Sequence, residues 1–143
     1  MGAIIMTQPF HLAIPVKDLA QTRDFYIDIL GCGTGRSSDH WQDLNMFGHQ
    51  LVLHVSPHAG AAAHNPVDGD EVPVPHFGVV LTLDQFADMS AKLLAHEQTD
   101  WVIKPRVRFA GQVGEQHTMF LRDPSGNALE FKAFADMGQL FAH

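Results

Sequence analysis

F-H-L-A-I-P-V, residues Phe10 to Val16, and P-H-F-G-V-V-L, residues Pro75 to Leu81, decide the fold. In the first stretch Phe10, Leu12, Ile14 and Val16 alternate with His11, Ala13 and Pro15. A period of two marks a strand with one buried face. Pro15 belongs at a strand end or on an unpaired edge, because it has no N–H to donate. Asp18 is a predicted helix N-cap, with Gln21 three residues on as a capping box. Leu19, Thr22, Tyr26 and Ile29 then recur at helical spacing, and Gly31 suits the left-handed C-terminal position. The second stretch repeats this plan. His76, Gly78 and Val80 share one face, Phe77, Val79 and Leu81 the other, and Asp84 is predicted to cap a helix through Phe86, Met89 and Leu93. Each half thus opens strand, turn, helix, with a histidine second in each strand motif.

The closing segments also correspond. Residues 119–131 read M-F-L-R-D-P-S-G-N-A-L-E-F, with Asp123-Pro124-Ser125-Gly126 as a tight hairpin turn. After it, Leu129 and Phe131 face one way while Ala128, Glu130 and Lys132 face the other. In the first half, Trp41 to Met46 reads as a strand and Phe47-Gly48 as a turn. Gln50, Val52 and His54 then alternate with Leu51, Leu53 and Val55. Matching Gly48 to Gly126 sets Val52 opposite Glu130 and His54 opposite Lys132.

Each half therefore reads as a βαβββ module: module one about 9–56, module two about 75–134, a linker 57–74 read as a connecting loop, and a tail 135–143 with helical apolar spacing. Neither module can bury its sheet face alone. Together they are predicted to form a single α+β domain: one curved, mixed but mostly antiparallel sheet with helices on the convex side. The concave side then collects His11, His76, Glu130, Gln50 and His54. Two imidazoles and a carboxylate on one face suit Fe(II) or Mn(II) and leave coordination positions open.

Bulk properties set the frame. The 143 residues are one domain's worth, with 45% hydrophobic and 17% charged residues, so a core is expected and disorder is not. The nine lysines and arginines are scattered in a chain of net charge −7, which argues against nucleic acid. No apolar stretch reaches the roughly 20 residues of a membrane span, and Met1 to Pro9 lacks the pattern of a secretory signal. The single Cys32 excludes an internal disulfide and fits a reducing cytoplasm. It has no evident base partner and is read as inert. Gly31, Gly33 and Gly35 follow a helix rather than a strand, which rules out a dinucleotide loop. His40, His58, His64, His96 and His143 are read as solvated.

Taken together, the paired modules, the two opening motifs and the R-D-P-S-G-N-A-L-E-F ending resemble the vicinal-oxygen-chelate superfamily of glyoxalases, bleomycin resistance proteins and extradiol dioxygenases. The likeness runs from about Pro9 to Phe134. It implies a divalent metal, Fe(II) favoured and Mn(II), Zn(II) or Ni(II) alternatives, held by His11, His76 and Glu130. It also implies a small oxygen-rich substrate bound through two oxygens, and a homodimer. In glyoxalase-type lyases the resemblance implies a fourth ligand at the place of Val52, which cannot bind metal. The extradiol reading leads for that reason, with His54 as acid/base. Those dioxygenases place a tyrosine about ten residues before the Glu ligand; Phe120 stands there, with His117 as a weak substitute. The alternatives are a glyoxalase-like lyase or isomerase, a thiol transferase of fosfomycin-resistance type, and a metal-free drug-binding module. Arg36, Trp41, Asn45, Arg106 and Gln116 are further candidates to line the groove, an arginine suiting an anionic substrate.

Overall fold

The computed structural model describes residues 7–59, 63–67 and 70–143. Residues 1–6, most of the stretch read as lacking a secretory signal, lie outside that description, as does the side chain of His64. In the first half β1 (His11–Val16) leads into α1 (Leu19–Asp24). Asp18 caps this helix by accepting from the Gln21 N–H at 2.9 Å. The helix widens over Phe25–Ile29, where Leu30 N–H bonds to the Phe25 carbonyl, five residues back. Gly31 ends it at φ 78°. Then come β2 (Gly33–Ser37), β3 (Trp41–Met46) and β4 (His49–Val55), forming one sheet in the order β1-β4-β3-β2. β1 pairs parallel to β4, with His11 opposite Gln50 and Pro15 opposite His54.

The stretch read as a plain linker instead carries a hairpin, β5 (Ala63–Val67) and β6 (Asp70–Val74). Its composition hid it, since prolines at 66 and 73 deplete strand signal and yet fit a two-stranded ribbon with free edges. In the second half come β7 (Val80–Leu81), α2 (Leu83–Ala95), β8 (Asp100–Arg108), β9 (Gln116–Arg122) and β10 (Ala128–Phe134), with sheet order β7-β10-β9-β8. The cap of α2 is Thr82 rather than Asp84. Thr82 and Gln85 each bond the other's backbone N–H, and Asp84 falls in the first turn, where its charge suits the helix dipole. The two four-stranded sheets have the predicted module topology. The tail forms only a single tight turn, Met137–Gln139.

One hydrophobic core joins the halves: Ile14, Val16, Leu51 and Leu53 of the first sheet share it with Leu81, Met119, Leu121, Leu129 and Phe131 of the second, and with Tyr26, Phe86 and Leu93 from the helices. The Asp123–Asn127 turn also clamps module two to module one. Tyr26 Oη donates to Asp123 Oδ2 at 2.8 Å. Ser125 Oγ bonds Thr22 Oγ1 at 2.7 Å and accepts from Lys17 N–H at 2.9 Å. Asn127 Nδ2 donates to the Pro15 carbonyl at 2.8 Å. Burial pushes the Asp123 carboxyl above its usual range, while its hydrogen bonds from Tyr26, Asn127 and Ser125 pull it back. Burial also drives the Tyr26 hydroxyl well up, so it stays a donor. The clamp predicts that Tyr26→Phe lowers unfolding free energy by about 1.5–3 kcal/mol, the range for a hydrogen bond to a charged group. Urea denaturation checks this; a loss under about 0.5 kcal/mol would remove the clamp from the account.

Candidate metal centre

Strand alternation puts Ala128, Glu130 and Lys132 on one face of β10, away from the core residues Leu129 and Phe131. Residues 76–78 then run beside this strand. Glu130 N–H bonds to the Phe77 carbonyl at 2.8 Å, and Phe77 N–H to the Ala128 carbonyl at 3.2 Å. The approach at Gly78 is so close that an added Cβ would stand 1.6 Å from the Glu130 carbonyl oxygen, so only glycine fits. Through this contact His76 Nε2 comes within 3.3 Å of Glu130 Oε2.

The far side of each ligand-type group is held. His76 Nδ1 lies 2.7 Å from the Pro73 carbonyl. A carbonyl only accepts, so Nδ1 carries a proton and Nε2 is the nitrogen turned to the carboxylate. Glu130 Oε1 accepts from Thr118 Oγ1 at 3.0 Å and sits 3.8 Å from Lys132 Nζ. Oε2 is thereby left to face Nε2. In the first module His11 Nδ1 lies 2.8 Å from Gln50 Oε1, again an acceptor, so Nε2 is the available nitrogen there too. Outer partners of this kind fix ligand tautomer and orientation in metal sites. Two lone pairs aimed at each other across 3.3 Å repel; a proton on Nε2, which makes an imidazolium–carboxylate pair, or a metal ion between the two removes that repulsion. Cis ligands with bonds of about 2.0–2.2 Å at right angles stand about 3 Å apart, so His76 and Glu130 fit adjacent positions around one metal ion.

His11 is not brought to this pair: among the described residues no three ligand-type side chains form a group that could hold a metal. Phe120 is brought there. It lies in register with Glu130, and its ring meets the His76 ring edge-on at 4.7 Å. Thr118 and Arg106 lie on the same face of the second sheet, in the row next to Glu130, and Gln116 lies one row beyond them. His117 points to the other side, against Phe86, so it does not stand in for a tyrosine beside Glu130. On module one, Trp41 is opposite His54, and Arg36 lies over the Trp41 ring at 5.9 Å. His54 is exposed and four residues along β4 from Gln50, about 13 Å at strand rise, so it stands far from His11. Asn45, near the end of β3, braces the turn that follows, its Oδ1 accepting from Gly48 N–H at 2.8 Å. Val52 is buried and offers no ligand. Burial raises the Cys32 thiol to about 11, which leaves it inert.

Sequence reading placed Lys132 on the Glu130 face without giving it a role, and missed Thr118, Gln50's hold on His11, and the Pro73 carbonyl. The alternation of β9 could have supplied Thr118; the carbonyl depends on backbone path and carries no residue signal.

A cavity of about 450 Å³ lies where Phe10 and Leu12 approach Phe77–Val80, closed on one side by Met137 and Leu140 of the tail. It holds none of His11, His76 or Glu130. A smaller one of about 230 Å³ runs between Leu12–Pro15 and His76, Phe77 and Asn127. No helix among the described residues is long and apolar enough to cross a membrane.

The chain belongs to the glyoxalase/bleomycin resistance protein/dioxygenase superfamily, whose family model matches residues 8–131. It is similar to a glyoxalase/bleomycin resistance protein/dioxygenase from Alicyclobacillus acidocaldarius, at 32% identity over 94% of this chain and 96% of that one, with a TM-score of 0.76. The fold is shared with FosX, a fosfomycin resistance protein of Listeria monocytogenes crystallised with Mn(II) and sulfate (15% identity, 94% and 95% covered, TM-score 0.66). It is shared too with a lactoylglutathione lyase from Agrobacterium tumefaciens (17% identity, 96% and 98% covered, TM-score 0.64). Among functionally curated proteins no sequence matches it.

If Thr118 orients Glu130 for metal, Thr118→Val should weaken Mn(II) or Zn(II) affinity about 10-fold with little change in melting temperature. Calorimetric titration reads this directly; unchanged affinity would mean the hydroxyl has no part in the site.

Proposed function

We propose that this protein is a divalent-metal enzyme that binds a small oxygen-rich substrate through two oxygens, with His11, His76 and Glu130 as ligands. One observation carries the reading: His76 Nε2 and Glu130 Oε2 face each other at 3.3 Å while the opposite atom of each group is tied down. A bound divalent ion supplies Lewis acidity and leaves positions open for a chelating substrate. Around that point the chain's own residues orient and exclude: Phe120 walls off one side of His76, and Val72 packs with Phe120 and Ala128 to keep water from the base of the site.

His11 is the ligand that one chain does not deliver. It is held ready by Gln50, so the reading has it supplied to the His76–Glu130 pair by a second copy of this chain, in a homodimer with shared sites. Mixed refolding of His11→Ala with Glu130→Ala separates the cases. In a heterodimer with shared sites one of the two centres regains all three ligands, and about a quarter of the wild-type metal capacity should return. Sites built within one chain would recover none.

Among reactions, the arrangement favours non-oxidative chemistry, in which the metal polarises a substrate oxygen for addition or isomerisation. The extradiol reading would need an acid/base beside the metal, and neither His54, far along β4, nor the phenyl ring of Phe120 fills that place. Protein loaded anaerobically with Fe(II) is accordingly expected to consume no oxygen with a catechol panel. It should still bind one metal per chain, with affinity falling about 100-fold or more in His76→Ala. Catechol-dependent oxygen uptake would restore the dioxygenase assignment, and metal binding that ignores His76 would end the proposal altogether.

A further inference from the structure

The cavity of about 450 Å³ opens from the core side of both modules and touches none of the three proposed ligands. Leu51 on its wall belongs to the shared core, and Leu12, Phe77 and Val79 pack against that core. Met137 and Leu140 cover one side. The tail that carries them is tied down, since Gln139 Oε1 accepts from Gly114 N–H at 2.9 Å. Protein interiors leave few voids larger than a water molecule. Apolar walls around a hollow of this size bury less surface than close packing would, and a bound apolar molecule would make up the difference.

The polar atoms of the lining say what such a molecule carries. His49 Nδ1 accepts from Phe10 N–H at 2.8 Å. A backbone N–H only donates, so the proton of the neutral ring is on Nε2. Gln50 has its Oε1 engaged by His11 Nδ1 at 2.8 Å, which leaves its amide N–H groups. These two side chains therefore offer a ligand N–H donors alone, and Thr7 adds one hydroxyl. No lysine, arginine, aspartate or glutamate is among the described lining residues, in a chain of net charge −7. A carboxylate entering here would lose its hydration without meeting a counter-charge, whereas an uncharged acceptor loses far less.

We propose that this cavity is a binding site, separate from the metal pair, for an uncharged apolar molecule ending in a carbonyl-type acceptor that His49 Nε2–H receives. The inference stands apart from the metal reading and does not need it. Small-molecule sites are mostly apolar hollows of about 300–1,000 Å³ with a few placed polar groups. At roughly 30 Å³ per water-sized heavy atom, 450 Å³ holds about 15 non-hydrogen atoms. An aryl or medium-chain alkyl ketone meets both conditions.

The probe is methyl naphthyl ketone, a rigid ketone close to this size. Ethylnaphthalene lacks the acceptor, and naphthoate carries a charged carboxylate in its place. Each is titrated into the full chain by equilibrium dialysis, and the ketone is expected to saturate at one per chain. Naphthoate should bind at least about 10-fold more weakly than the ketone. His49→Phe should weaken the ketone about 5-fold or more while leaving ethylnaphthalene within about 2-fold. Leu140 lies outside the core, so Leu140→Trp adds bulk to the cavity from the tail. It should weaken ketone and hydrocarbon alike by at least about 10-fold. Leu94→Trp, at an exposed position of α2, should weaken neither. Failure of the ketone to bind the wild type saturably overturns the proposal, as does naphthoate binding as tightly as the ketone. So does affinity untouched by Leu140→Trp, which would put the ligand elsewhere. A loss in His49→Phe shared equally by ethylnaphthalene would make the ring a wall rather than a donor and overturn it too.

Discussion

Two backbone hydrogen bonds, Glu130 N–H to the Phe77 carbonyl and Phe77 N–H to the Ala128 carbonyl, hold residues 76–78 against β10. Everything at the candidate centre follows from how close that approach is. Gly78 makes it possible, because any side chain there would meet the Glu130 carbonyl. Strand alternation then turns His76 and Glu130 to the same side, and the Pro73 carbonyl and the Thr118 hydroxyl remove the remaining freedom of their outer atoms. The result is an imidazole nitrogen and a carboxylate oxygen facing each other at 3.3 Å with their outer atoms held, the arrangement on which the proposed metal reading rests.

A second constraint fixes how the modules sit. The Asp123–Asn127 turn does more than reverse the chain: its side chains bond Tyr26, Thr22 and the backbone at Pro15 and Lys17. The same residues that give good turn chemistry therefore carry buried polar contacts between halves. Asp123 is held by donors from both modules, which lets a carboxyl survive in the core.

The paired modules were legible because period-two alternation and helix caps are local properties, and they recur twice along this chain. Glu130 and Lys132 on one face, Val52 as a non-ligand, and the histidine second in each opening motif all follow from that alternation. What sequence left out depends on distance across the fold. The β5/β6 hairpin is hidden by its prolines, and the cap of α2 moves from Asp84 to Thr82 because Gln85 lies at the reciprocal spacing. His117 falls on the core side of β9, as strict alternation with Phe120 requires, since the two positions are three apart, an odd offset. The separation of His11 from His76 and Glu130 is a matter of how two modules dock, and no local pattern encodes it.

The proposed chemistry stands on imidazole and carboxylate ligation of one ion. X-ray absorption of the Zn(II)- or Fe(II)-loaded protein reads that first coordination shell without reference to any substrate. The account predicts two imidazole nitrogens per metal, with the remaining near neighbours oxygen at about 2.0–2.2 Å. A spectrum with no imidazole scattering, or with only water-like oxygens around the metal, would contradict it.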